Sequence, residues 1–104
     1  MSFKRVSIAE AKDLLSEQKE KVQIVDIRDD ESYERGHISQ ALHLHGSNLQ
    51  EFISQADLEQ PLLVYCYHGH TSQSAAAYLV EQGFADTCSL DGGYEAWSEA
   101  ESAD

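Results

Sequence analysis

Short β-prone runs alternate with helix-prone stretches along the chain, and that alternation leaves few folds open. Phe3–Val6 reads as a first short strand. Ser7 and Glu10 then have the spacing of a capping box. Ile8, Ala11, Leu14 and Leu15 recur at helical spacing, which predicts a helix over 8–18. Val22–Ile27 is a β-rich run of the kind buried inside a sheet. Asp29 or Asp30 is placed to cap a helical turn, Glu31 to Arg35, closed by Gly36. Ala41–Leu44 is another short strand, and Ser47 opens a weak helical pattern carrying Leu49, Phe52 and Ile53. Pro61 precedes the strand Leu62–Tyr65, and a helix over Ser72–Gln82 stops at Gly83. Thr87–Leu90 is the last strand, and Asp91-Gly92-Gly93 turns into a final helix bearing Tyr94 and Trp97. Strand–helix alternation predicts an α/β fold: a central, mostly parallel sheet with helices on both faces. A length of 104 residues suits one modest domain, expected to span 1–104.

In such sheets, ligands bind beyond the carboxyl ends of strands. Cys66 stands at one such end, followed by the polar loop Tyr67-His68-Gly69-His70-Thr71-Ser72 and then the alanine-rich helix. A thiol at a helix N-terminus meets free backbone N–H groups and the positive end of the helix dipole. Such surroundings lower a cysteine pKa from ~8.5 to ~3.5–7.5, with each unit worth about 1.4 kcal/mol of preference for thiolate. Gly69 lets the loop take positive φ and turn amides inward. Thr71 and Ser72 offer hydroxyls for capping or anion binding. His68 and His70 add charge near the sulfur when protonated. The competing reading is an inert, buried strand-end cysteine.

Charge narrows the partners. Nineteen acidic residues against seven Lys and Arg give a net charge of −12. Nucleic acids and anionic membranes both need a basic footprint, so neither is expected as a partner. A small anion meets a repulsive global field, so its capture is expected to be weak and salt-sensitive. Met1-Ser2-Phe3-Lys4-Arg5 is too polar for a secretory leader, and no apolar run approaches the ~18 residues of a membrane span. With only Cys66 and Cys88, the chain carries no disulfide framework, and a reducing, cytoplasmic location is expected.

Four stretches carry a resemblance to a known family. The loop Cys66-Tyr67-His68-Gly69-His70-Thr71 resembles the six-residue active-site loop of rhodaneses. Val25-Asp26-Ile27-Arg28 resembles the family's acidic-x-Arg strand end. Gly36-His37-Ile38, followed by Ala41 and Leu44, resembles its Gly-His-Ile element. Asp91-Gly92-Gly93-Tyr94, with Trp97, resembles its C-terminal Asp-Gly-Gly-x-x-x-Trp signature. The resemblance implies a thiosulfate sulfurtransferase that needs no cofactor. Cys66 would take the outer sulfur of thiosulfate as a persulfide, release sulfite, and pass the sulfur to a thiophilic acceptor: cyanide, a dithiol or a thioredoxin-like protein. Amides of Tyr67 to Ser72 would stabilise the thiolate and then the persulfide anion. Many members of the family carry Lys or Arg in or just after the loop, where this chain has His68, His70 and Gln73. Related phosphatases use Cys-x5-Arg to clamp phosphoryl oxygens, and this loop supplies no arginine. An alternative on the same scaffold is a relay module that accepts persulfide sulfur from a partner protein. A purely structural module would need neither the thiol nor Gly69.

The remaining polar residues of these motifs read as supports. Asp26 and Arg28 are expected to pair or to bond local backbone. His37 is expected to bond backbone, Asp91 to cap its Gly-Gly turn, and Trp97 to pack in the core or its rim. Cys66, His68 and His70 with Cys88, or with His43 and His45, are conceivable metal ligands. Their one-residue spacings suit a tetrahedral site poorly, so no metal is expected. Cys88 reads as an inert structural thiol, with a resolving thiol as the sharper alternative.

Overall fold

A computed structural model describes residues 2–18 and 21–102. Residues 1, 19, 20, 103 and 104 of the expected domain span lie outside the described residues. The described residues form five strands: β1 (Lys4–Val6), β2 (Gln23–Asp26), β3 (Leu42–His43), β4 (Leu62–Tyr65) and β5 (Thr87–Leu90). Four helices lie between them, α1 (Ile8–Gln18), α2 (Asp30–Arg35), α3 (Leu49–Gln55) and α4 (Thr71–Glu81), and α5 (Gly93–Ser102) follows the last strand. The strands form one sheet in the order β1-β5-β4-β2-β3, and every adjacent pair is parallel.

Local chemistry explains the helix starts. Ser7 N donates to Glu10 Oε1 at 2.9 Å, and Glu10 N donates to Ser7 Oγ at 3.1 Å, completing the capping box ahead of α1. Asp29 caps α2 by accepting from Ser32 N at 3.3 Å and Ser32 Oγ at 2.7 Å. α3 starts later than the expected opening at Ser47. Asn48 is its N-cap without a side-chain cap bond, because its amide instead accepts from His45 N and donates to His43 O, both at 2.8 Å.

The sheet separates two apolar layers. Leu62 and Val64 of β4 point to one face, where Ala76 and Leu79 of α4 and Phe84 pack, flanked by Phe52 and Ile53 of α3. Leu63 and Tyr65 point to the other, against Ala11 of α1, Ile24 of β2 and Trp97 of α5. All four β4 side chains have no exposed surface. A fully buried side chain of this kind contributes about 1.5–3 kcal/mol, so β4 is firmly held where it launches a loop. It lies between β5 and β2, and its carboxyl end runs straight into Cys66.

Candidate active site

Cys66 follows β4 directly and is 6% exposed. Its Sγ accepts from Gly69 N at 3.1 Å and from Ser72 N at 3.2 Å. The thiol in turn donates to Ser72 Oγ at 3.4 Å. Burial alone would push this thiol up, but the Ser72 hydroxyl, with the amides of Ser72, Gly69 and His68, outweighs it and holds the group below its ordinary value. Cys88 has no such ring. Burial pushes its thiol up, and the nearby Lys4 ammonium offsets this only in part. Both cysteines are free.

The loop turns its amides inward because its carbonyls are taken elsewhere. Cys66 O accepts from Tyr94 N at 2.8 Å, and Tyr67 O accepts from Glu95 N at 3.0 Å. These donors belong to the first turn of α5, where N–H groups have no partner within the helix. Such close seating requires glycine. A Cβ on Gly93 would stand 2.5 Å from Tyr67 O and 2.6 Å from Cys66 O. Gly69 has φ +95°, and a Cβ there would stand 2.8 Å from Gly92 N. Thus the Asp91-Gly92-Gly93 turn and the cysteine loop are two halves of one backbone contact.

The loop side chains divide into two sets. Ser72 is fully buried beside the sulfur. Tyr67, His68, His70 and Thr71 are exposed at the mouth. Neither imidazole is hydrogen-bonded to Sγ; His68 Nδ1 lies 3.6 Å from Glu95 Oε2. His70 is the N-cap of α4 and makes no side-chain cap bond. The helix starts at Thr71, and the Ser72 hydroxyl does not cap it as expected. That hydroxyl contacts Ser89 Oγ at 2.8 Å as well as the sulfur. Ser89, on β5, belongs to none of the sequence motifs. Its signal was a hydroxyl between Cys88 and Leu90 in a strand that should be wholly buried, where a polar group needs a partner.

The supporting residues lie around this centre. Asp26 and Arg28 form a buried pair, with Arg28 Nη2 at 2.7 Å from Asp26 Oδ2 and Nε at 3.0–3.1 Å from both oxygens. Arg28 Nη2 also donates to Gly36 O at 2.6 Å, and its guanidinium stacks on the Tyr94 ring at 4.2 Å. Tyr65, the residue before Cys66, accepts from Ile38 N at 3.1 Å through its hydroxyl. The acidic-x-Arg and Gly-His-Ile stretches therefore meet behind the loop and not at the sulfur. His37 Nδ1 bonds Tyr33 O at 2.8 Å, a backbone contact as expected. Asp91 departs from expectation: in place of capping its turn, it accepts from Arg5 Nε at 2.8 Å. The cause is strand order. β1 lies beside β5 and aligns Arg5 with Ser89, within reach of Asp91. Trp97 is 8% exposed and packs in the core. Among the described residues, no group of three or more His, Cys, Asp or Glu is placed to hold a metal ion. No helix among them is long and apolar enough to cross a membrane.

A parallel α/β sheet with a cysteine loop at the end of its central strand defines a class, and comparison with known proteins agrees. The chain belongs to the rhodanese-like domain family, whose profile matches residues 7–100. It is 52% identical over 99 residues to the thiosulfate sulfurtransferase GlpE of Shewanella oneidensis, covering 95% of this chain and 96% of that protein. It is 48% identical over 103 residues to GlpE of Pseudomonas paraeruginosa, covering 99% and 91%. Among solved structures it resembles a rhodanese-like domain protein from Staphylococcus aureus, with a TM-score of 0.79, 28% identity and 91% of each chain covered. It also resembles a Rhodopseudomonas palustris protein of unknown function, described as a possible tyrosine phosphatase. That match has a TM-score of 0.81 and 27% identity, and covers 95% of this chain and 82% of that one.

Proposed function

We propose that this chain is a thiosulfate sulfurtransferase with Cys66 as its nucleophile. The observation that carries the reading is the convergence of Gly69 N and Ser72 N on one sulfur, in a chain similar along its length to GlpE sulfurtransferases. The Cys66 thiolate attacks the outer sulfur of thiosulfate. The sulfur–sulfur bond of thiosulfate breaks, and sulfite leaves with its electron pair. Cys66 then holds a persulfide whose terminal sulfur carries the negative charge. Cyanide or a dithiol thiolate attacks that terminal sulfur and returns Sγ as thiolate. Loop amides stay aimed at the charge throughout, so no dipoles need to reorganise during the transfer. Two easy displacements replace one difficult transfer.

In this reading Gly69 and Ser72 cradle the sulfur. Tyr67, His68, His70 and Thr71 form the rim that donor and acceptor cross. Asp26, Arg28, His37 and Asp91 hold the surrounding backbone. Two free thiols suit a reducing compartment, the cytoplasm. A phosphatase reading is not supported, because the loop carries no arginine to clamp phosphoryl oxygens.

The test mixes the protein with thiosulfate and cyanide and measures thiocyanate for wild type and Cys66→Ser. Turnover lost in the variant is the expected result. Absent turnover, with one sulfur gained on exposure to a persulfide donor, would replace the enzyme by a relay module.

A further inference from the structure

Cys66 does not end at Ser72. Ser72 Oγ and Ser89 Oγ are 2.8 Å apart, and both residues have no exposed surface. The sulfur is thus the outer end of a three-atom buried chain running from the loop into β5. Hydroxyl groups donate and accept, so such a chain has two polarities. With a neutral thiol, Sγ–H donates to Ser72 and Ser72 donates to Ser89. With an anion at Sγ, Ser72 must donate to sulfur, and it then needs a donor behind it. Ser89 is the hydroxyl placed to fill that need.

We propose that Ser89 is a positioning residue for the nucleophile: its hydroxyl donates to Ser72, so that Ser72 donates to Cys66 Sγ whenever that sulfur is ionised. The thiol proton leaves to water, and the two serines only rotate about their C–O bonds. No proton is stored in the sheet, and no bond to oxygen breaks. Buried hydrogen bonds that polarise one another are stronger than isolated ones, which suits a charge held under a nearly closed surface. The role rests on Cys66 being the working nucleophile, but its direct readout is the ionisation of that thiol.

Other ionisable groups surround the loop without bonding the sulfur. His68 and His70 lie on the loop itself, beside Tyr67. α5 brings Tyr94 and Glu95, the latter with its carboxylate 3.6 Å from His68 Nδ1. β4 brings Tyr65, β5 brings Cys88, and α4 carries Glu81 only at its far end. Beyond β2 the Asp26 and Arg28 charges are paired with each other. Removing the Ser89 hydroxyl leaves all of these in place.

The experiment measures the rate of Cys66 alkylation by iodoacetamide against pH, resolved by peptide mass spectrometry. Ser89→Ala is compared with wild type and with Thr87→Ala. Thr87 lies on the same strand, is also buried, and donates to Phe84 O at 3.5 Å, away from the sulfur. The Cys66 midpoint should rise by about one pH unit in Ser89→Ala and stay put in Thr87→Ala. In a Ser72→Ala background, Ser89→Ala should add no further shift. Below the wild-type midpoint, kcat/KM for thiosulfate should fall about three- to tenfold in Ser89→Ala and recover at high pH. Should alanine not fold at this site, the isosteric pair Ser89→Thr and Ser89→Val asks the same question, with only the second expected to raise the midpoint. An unchanged midpoint in Ser89→Ala, or in the valine variant, overturns the proposal even if thiosulfate is turned over. A raised midpoint in a chain that never turns over thiosulfate supports the proposal and sinks the activity assignment instead.

Discussion

Two thiols, one just past the end of β4 and one within β5, have opposite chemistry, and their neighbours explain why. Cys66 is held below its ordinary value by hydrogen bonds that overcome burial, while burial wins at Cys88. Iodoacetamide should therefore label Cys66 well below pH 8 and leave Cys88 largely unmodified; equal labelling would contradict the loop's electrostatics. The sign for activity follows. A depressed pKa keeps thiolate present at neutral pH, and turnover should decline as pH falls through the folded value, not as it rises. Arg28 has a different part to play. Replacing it by Met leaves the Asp26 carboxylate buried without its partner, and Gly36 O loses a donor. Breaking a buried pair in this way costs about 3–5 kcal/mol, which urea denaturation would read as a lower midpoint. A loss under about 1 kcal/mol would mean that water already reaches Asp26.

At the scale of elements, the decisive joint is α5 against the cysteine loop. Gly93→Ala forces a Cβ against Tyr67 O and Cys66 O. The loop must shift by tenths of an ångström, and its amides then miss the sulfur. Thiocyanate formation should fall by at least about tenfold while circular dichroism still reports the α/β fold. Gly69→Val meets backbone atoms of Gly92 and Leu90 and also strains a positive φ. It should lower both sulfur transfer and thermal stability. Wild-type rates in either variant would refute the idea that this joint aims the loop.

The whole molecule works against its own substrate. A net charge of −12 surrounds an anion site built from neutral amides. Screening should help here: at ~0.01 M ionic strength the field reaches ~30 Å, and at ~0.15 M only ~8 Å. The KM for thiosulfate should therefore fall on adding an inert salt over that range, with kcat little changed. A KM that rises with salt would point to a local cation, with protonated His68 or His70 the first to examine.

The strand–helix alternation, the capping box at Ser7 and Glu10, and the loop at Cys66 were all legible along the chain, because each depends on side chains within a turn or two of one another. The strands Leu62–Tyr65 and Thr87–Leu90 have the bounds expected, whereas the strands expected at 3–6 and 22–27 each lost a residue at one or both ends and Ala41–Leu44 shortened to Leu42–His43, because ladder pairing, not propensity, sets where a strand ends. Contacts between distant segments were decided only by the tertiary structure. Ser72 meets Ser89 across 17 residues, and Arg5 meets Asp91 across 86. Both follow from the order β1-β5-β4-β2-β3, which a period of two or of 3.6 does not encode. The sequence by itself determined that a thiol would stand at a strand end before a helix. Which hydroxyl lies behind it, and which carbonyls turn away from it, were settled when the sheet closed and α5 seated two glycines against the loop.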